Sequence, residues 1–240
     1  MPISRQRKTE GKGRSIRKRK GLETKIVDGE ARMPNKAFNL IRERPELLAF
    51  VRIGRVVNAL GFSIHILKTP VNESSHVDAR QSARAMFVFA GFIHEALNVI
   101  RSMETEYSAV PAFDSLKGIL SKGSFKKPKA IVDAIRNRIG FHLDYKEILT
   151  SKTLKTARLS EYYVIHSGYD DEPNGLYINL ADDIDWEYLV DTFASKKSEG
   201  ETAQEILDAL VDLSLEISRG SKIFLGYLLD CLGIKPPLKL

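Results

Sequence analysis

Three long segments carry apolar residues at helical spacing, and together they fix what the chain can become. The first opens after Pro45 and runs from about Glu46 to Leu67. Leu47, Leu48, Val51, Ile53, Val57, Leu60, Ile64 and Leu67 give it an apolar face so broad that it predicts a helix packed on several neighbours. The second runs from Asp78, an N-cap residue type, to about Glu104. Its middle, Met86 to Ile93, is apolar nearly all round and should be the most buried piece of the protein. The third starts at a capping box of Ser198 and Glu201 and reaches about Leu232. Ile206, Leu210, Leu213, Ile217, Phe224 and Leu228 line it, and Gly233 with Pro236-Pro237 stops it.

Shorter elements fill the gaps. A short helix is expected over Lys36 to Arg42, another over Phe113 to Leu120, and a third over Ile184 to Phe193. A further amphipathic run opens after Lys127-Pro128, where proline suits a first helical turn. Tyr162 to His166 and Leu176 to Leu180 are β-prone and flank the turn-rich Tyr169–Gly175, which predicts a β-hairpin inserted at 161–181. The expected architecture is mainly α: a helical bundle of about five main helices with that hairpin inserted.

Composition separates a tail from a body. Residues 1–25 hold ten Lys/Arg against two Glu, a net +8, so the rest of a chain of net charge +6 sums to −2. Arg17, Lys18, Arg19 and Lys20 form the centre of this stretch, which has too little apolar surface to fold alone. Residues 1–27 are therefore expected to be a disordered basic tail and 28–240 a helical domain. The tail suits an electrostatic arm for nucleic acid or an import signal, and equally a solubilising segment without a partner. With 43% hydrophobic residues the body can bury one good core.

Several function classes fall away. The single cysteine, Cys231, excludes an internal disulfide framework and a cysteine-based zinc site. The longest apolar run, Ala85 to Ile93, is too short to span a membrane, and no apolar segment follows the charged N-terminus, so no secretory signal is expected. A cytoplasmic protein is the resulting expectation. His94-Glu95 begins a zinc-protease pattern, but residue 98 is Asn where a second His is required. His94 then reads as a hydrogen-bonded core histidine, with His65 and Asn58 as available partners. Asp170, Glu172, Asn174 and Gly175 imitate a calcium loop whose twelfth position is Ala181, which cannot ligate. Neither a metal nor another cofactor is expected.

The segment Ala134-Ile-Arg-Asn-Arg-Ile-Gly-Phe-His-Leu-Asp144 carries the remaining chemistry. On a 3.6-residue period Ile131, Ala134, Ile135, Ile139 and Phe141 share one face, with Arg138 and His142 in its middle. Arg136 and Asn137 point elsewhere on a straight helix, while a kink at Gly140 would bring Arg136 and His142 toward one target. A charge and an imidazole on an apolar stripe need partners. They can satisfy each other in the core, with the arginine stem snorkelling past.

Arg136-Asn137 followed after four residues by His142, on a helix after two long apolar ones, resembles the Arg-x4–6-His motif of the HEPN superfamily. The resemblance covers about Leu47 to Leu232. It implies a helical fold and metal-independent cleavage of RNA, as in a toxin or defence protein. His142 would be the general acid or base, Arg136 a forked cation on the phosphate, and Asn137 an orienting residue. Arg138 and the tail's Arg17 to Lys20 would support RNA binding. The resemblance also implies a homodimer whose two motif helices face each other, and a neutralising partner protein. Two other readings stay open: a HEPN-like module that binds RNA or a nucleotide without cutting it, and a helical interaction protein.

Overall fold

The computed structural model describes residues 25–27, 30–67, 76–139, 166–167, 176–177, 179–193 and 199–234. At 25–32, 76–83, 138–139, 166–167, 176–177, 179–184 and 199–200 the description is of backbone only. The helices are α1 (Asn35–Asn39), α2 (Pro45–Leu67), α3 (His76–Tyr107), α4 (Asp114–Ser121), α5 (Lys126–Ala134), α6 (Asn179–Phe193) and α7 (Glu199–Leu232). Short 3-10 turns at Pro111–Phe113 and Gly123–Phe125 lead into α4 and α5. A π turn, Ile135–Ile139, continues α5. The fold is mainly α, as the apolar periodicity predicts.

Two antiparallel pairings complete the description. β1 (Lys25–Val27) pairs with β2 (Glu30–Arg32), and β3 (His166–Ser167) pairs with β4 (Leu176–Tyr177) over two residues. The rest of the expected hairpin strand at Tyr162 lies outside the described residues. Its partner strand is shorter than expected, because Asn179 and Leu180 already belong to α6. The segment Asn-Leu-Ala-Asp-Asp places a helix-starting residue and two acids in a first turn, which favours the helix over a longer strand. In the same way α3 starts at His76, so Asp78 sits inside its first turn and is not the N-cap.

α7 is the spine. At about 1.5 Å per residue its 34 residues span roughly 50 Å, long enough for α2, α3, α4, α5 and α6 all to pack on it. Its buried Ile206, Leu210, Leu213, Ile217, Phe224 and Leu228 meet Ile53 and Leu60 of α2, Phe89, Ile93 and Ile100 of α3, and Ile131 and Ile135 in one core. All six residues of the sequence-predicted stripe on α7 are buried, and Leu225, Leu229 and Leu232 widen it. Phe224 anchors an aromatic cluster, lying edge-on to Tyr107 and Phe113, each at 5.1 Å, and stacked on Tyr227 at 6.0 Å. The helix ends in a Schellman motif. Gly233 takes φ 73°, Ile234 N–H bonds Leu229 O at 2.9 Å, and Gly233 N–H bonds Asp230 O at 3.1 Å.

Polar ties fix the lesser helices to this frame. Lys129 of α5 donates to Leu120 O at 2.7 Å and Ile119 O at 3.3 Å, placing a cation on the carbonyl end of α4. Lys127 reaches Glu205 of α7 at 3.4 Å. Arg52 of α2 bonds the Ser102 hydroxyl of α3. The connection between α2 and α3 has eight residues, a reach of about 30 Å. That is too short for a parallel pair in this register, so α2 and α3 run antiparallel.

Close approach depends on one glycine. A Cβ on buried Gly220 of α7 would stand 2.8 Å from Leu116 Cδ2 and 3.1 Å from its Cγ, and Leu116 of α4 is itself fully buried. Gly220→Ala gains about 1 kcal/mol of helix propensity but overpacks a closed site at a cost of about 1–3 kcal/mol. The expected net result is a loss of stability, read as a lower urea midpoint with an unchanged slope.

The aromatic cluster predicts the alkaline limit of stability. Burial, then the Cys231 hydrogen bond, pushes Tyr227 up to about 12; burial, followed by Glu106 and Glu46, raises Tyr107 further. Between the ordinary tyrosine value of about 10 and these raised values the folded state holds protons that the unfolded state has released, so stability falls as pH rises through that window. Thermal melts between pH 9 and about 12 should show this fall, and Tyr107→Phe should make it shallower.

Candidate functional site

The site begins with two neighbours on α3. His94 and Glu95 follow fully buried Ile93, at the edge where α3 meets α5 and the π turn. Across that seam stand Asp133, on the last turn of α5, and Arg136, three residues later. Residues three apart are neighbours on a helix surface, so one patch of α5 presents an acid and a base to one patch of α3 carrying an imidazole and an acid. His94 Nδ1 lies 3.3 Å from Asp133 Oδ1, and Arg136 Nε lies 4.0 Å from Glu95 Oε1. These are two rungs of opposite polarity between the same two elements.

Exposure divides the four side chains. His94 is only 19% exposed and Arg136 is half-buried, whereas both carboxylates face mainly water. The Asp133 carboxylate stands against Nδ1 of His94. Arg136 keeps a permanent charge in a planar fork, and Glu95 at 4.0 Å engages one side of it. Chemically the seam holds an imidazole and a guanidinium, each against a carboxylate of the facing helix.

The π turn decides where the motif residues fall. Its hydrogen bonds close on the fifth residue, so each residue beyond Ile135 drifts behind the α-helical phase. Ile131, Ala134 and Ile135 are buried, as a straight helix requires. Beyond them the backbone departs from the 3.6-residue projection. Asn137 is exposed. Arg138 has its backbone in the π turn, and its side chain lies outside the described residues. His142 and Arg17, Lys18, Arg19 and Lys20 also lie outside them. The structure therefore brings Arg136 to Glu95, on the seam where His94 meets Asp133.

His94 also has a different partner from those its sequence neighbourhood offers. Asn58 and His65 of α2 are both exposed, whereas Asp133 holds the imidazole. The sequence signal for that pairing was the matched order of charges, His-Glu on one helix and Asp-x-x-Arg on the other. It becomes readable only once α3 and α5 are known to touch. Comparison with family models, with curated proteins and with solved structures finds no match to this chain.

The Arg136–Glu95 rung should contribute little to stability. Ion pairs open to solvent are worth about 0–1 kcal/mol, because water competes and two long side chains must be held still. A double-mutant cycle with Glu95→Gln and Arg136→Gln should give a coupling no larger than that. A coupling of several kcal/mol would assign Arg136 to holding the fold.

Proposed function

We propose that this chain is a metal-independent endoribonuclease of HEPN type, acting as a toxin or defence protein in the cytoplasm. One observation carries the reading: Arg136 and Asn137 sit on a π turn packed against α3. Helices interrupt their regular hydrogen bonding at a cost, and π turns are frequent where a side chain must be aimed for function. Here the interruption falls inside the Arg-x4–6-His segment itself. The 161–181 hairpin belongs to the same reading as an insertion between the motif and the last two helices.

In this mechanism the ribose 2′-oxygen attacks the adjacent phosphorus while a base removes its proton. The bond from phosphorus to the 5′-oxygen breaks, and that oxygen leaves with a proton from an acid. The products are a 2′,3′-cyclic phosphate and a 5′-hydroxyl. His142 supplies one proton-transfer group. Arg136 holds the phosphate oxygens as negative charge grows on them, Asn137 orients them, and Arg138 adds positive charge. A homodimer with its motif helices near the two-fold axis supplies a second histidine and a second arginine to one cleft. Arg17 to Lys20 of the tail hold RNA by phosphate contacts, and a partner protein neutralises the activity between episodes.

The test is cleavage of a structured RNA in EDTA by a highly purified chain, with the product ends identified. His142→Ala should lose about 10²- to 10⁴-fold and Arg136→Ala about 10²- to 10³-fold. Cleavage that survives in His142→Ala assigns the activity elsewhere. Binding without cleavage by the wild type favours the non-catalytic RNA-binding module.

A further inference from the structure

α2 carries apolar residues on both of its sides, and a helix of that kind needs neighbours on more than one side. α3 and α7 take one side, burying Ala49, Ile53, Val56 and Leu60. On the opposite side Leu48, Val51, Arg55, Asn58, Phe62 and Ile66 follow at intervals of three or four residues, and all are exposed. Leu48 is 62% and Phe62 59% exposed, so this row is uncovered along its length among the described residues. At 1.5 Å per residue it runs for about 27 Å. An uncovered apolar row of this extent marks an interaction surface.

The order of residues along the row selects the occupant. It reads apolar, apolar, Arg, Asn, apolar, apolar, and it maps onto itself about a midpoint near Val56 and Val57. Reversed about that midpoint, Leu48 falls opposite Ile66, Val51 opposite Phe62, and Arg55 opposite Asn58. A second copy laid antiparallel therefore meets apolar groups with apolar groups, while each Arg55 donates to the amide oxygen of the other copy's Asn58. A parallel pair would set Arg55 against Arg55. The Lys/Arg-rich residues 1–25 carry a net charge of the same sign as Arg55 and little apolar surface to bury.

We propose that α2 is the self-association surface of this protein, two copies pairing antiparallel along the row from Leu48 to Ile66. The contact is isologous, and the polar centre fixes its register, as a buried asparagine does in a coiled coil. The pairing also places the two-fold axis. With Arg52 on Ser102 and the two helices antiparallel, the midpoint of the row stands level with about Leu97 of α3, within one turn of His94 and Glu95. The symmetry axis then passes at the height of the polar patch, with α3 between the two. The dimer does not rest on the proposed ribonuclease reading.

Sedimentation of the full chain decides the matter. The wild type should run at twice 27.0 kDa below about 100 µM, and Phe62→Glu and Leu48→Glu at 27.0 kDa with unchanged helical circular dichroism, because both positions face solvent in the single chain. In a Cys231→Ser background, mixed Arg55→Cys and Asn58→Cys chains should oxidise to a heterodimer, and Leu48→Cys chains should not join to themselves. A monomeric wild type overturns the proposal. If that monomer floats with anionic vesicles, the row is a lipid-facing surface, which the length and hydropathy of α2 would also permit. A dimer that survives Phe62→Glu overturns it as well. RNA cleavage is read separately: a monomeric Phe62→Glu that still cuts leaves the surface standing and removes the composite cleft. A dimer that never cuts leaves the surface standing and removes the ribonuclease reading.

Discussion

Burial of one continuous apolar stripe on α7 is the constraint on which the rest of the structure depends. The stripe runs from Ile206 to Leu232, and each of α2, α3, α4, α5 and α6 covers part of it. A helix this long is not stable through propensity alone; its turns persist because they are packed. Each neighbour is in turn too short, or too apolar, to stand without the spine. Two contacts on it are made differently: Phe224 fills space with an aromatic cluster, while Gly220 has no side chain to hold Leu116 off the backbone.

The polar patch follows from the same packing. α5 lies across both α7 and α3, so its apolar side is occupied and its polar edge is left along the seam with α3. Asp133 and Arg136 sit on that edge, and His94 and Glu95 on the edge facing it. Water reaches both carboxylates, and ion pairs open to solvent contribute little to stability. The π turn detaches the residues after Ile135 from the α-helical phase.

α2 illustrates the opposite situation. Its apolar breadth is legible in the sequence as a demand for several neighbours, yet among the described residues it receives them on one side. A helix exposing Leu48 and Phe62 to solvent is at odds with the rest of a body whose large apolar residues are mostly enclosed. Self-pairing resolves that tension without any further element, because the row is complementary to its own reverse.

The sequence by itself determined the helices, their approximate ends and the buried stripe of α7, because apolar spacing, Pro45, Gly233 and capping residue types act locally and survive any arrangement of the chain. It also carried the Arg136-Asn137 motif as a pattern, without its surroundings. Tertiary structure alone decided that His94 pairs with Asp133, that Glu95 stands beside Arg136, and that the motif helix breaks into a π turn. Those outcomes join residues about 40 positions apart, and the choice among many polar candidates is made by which helix edges the core packing brings together. The strand expected through Leu180 failed for a related reason: a two-residue alternation is weak, and the helix-starting residues from Asn179 onward claimed the segment.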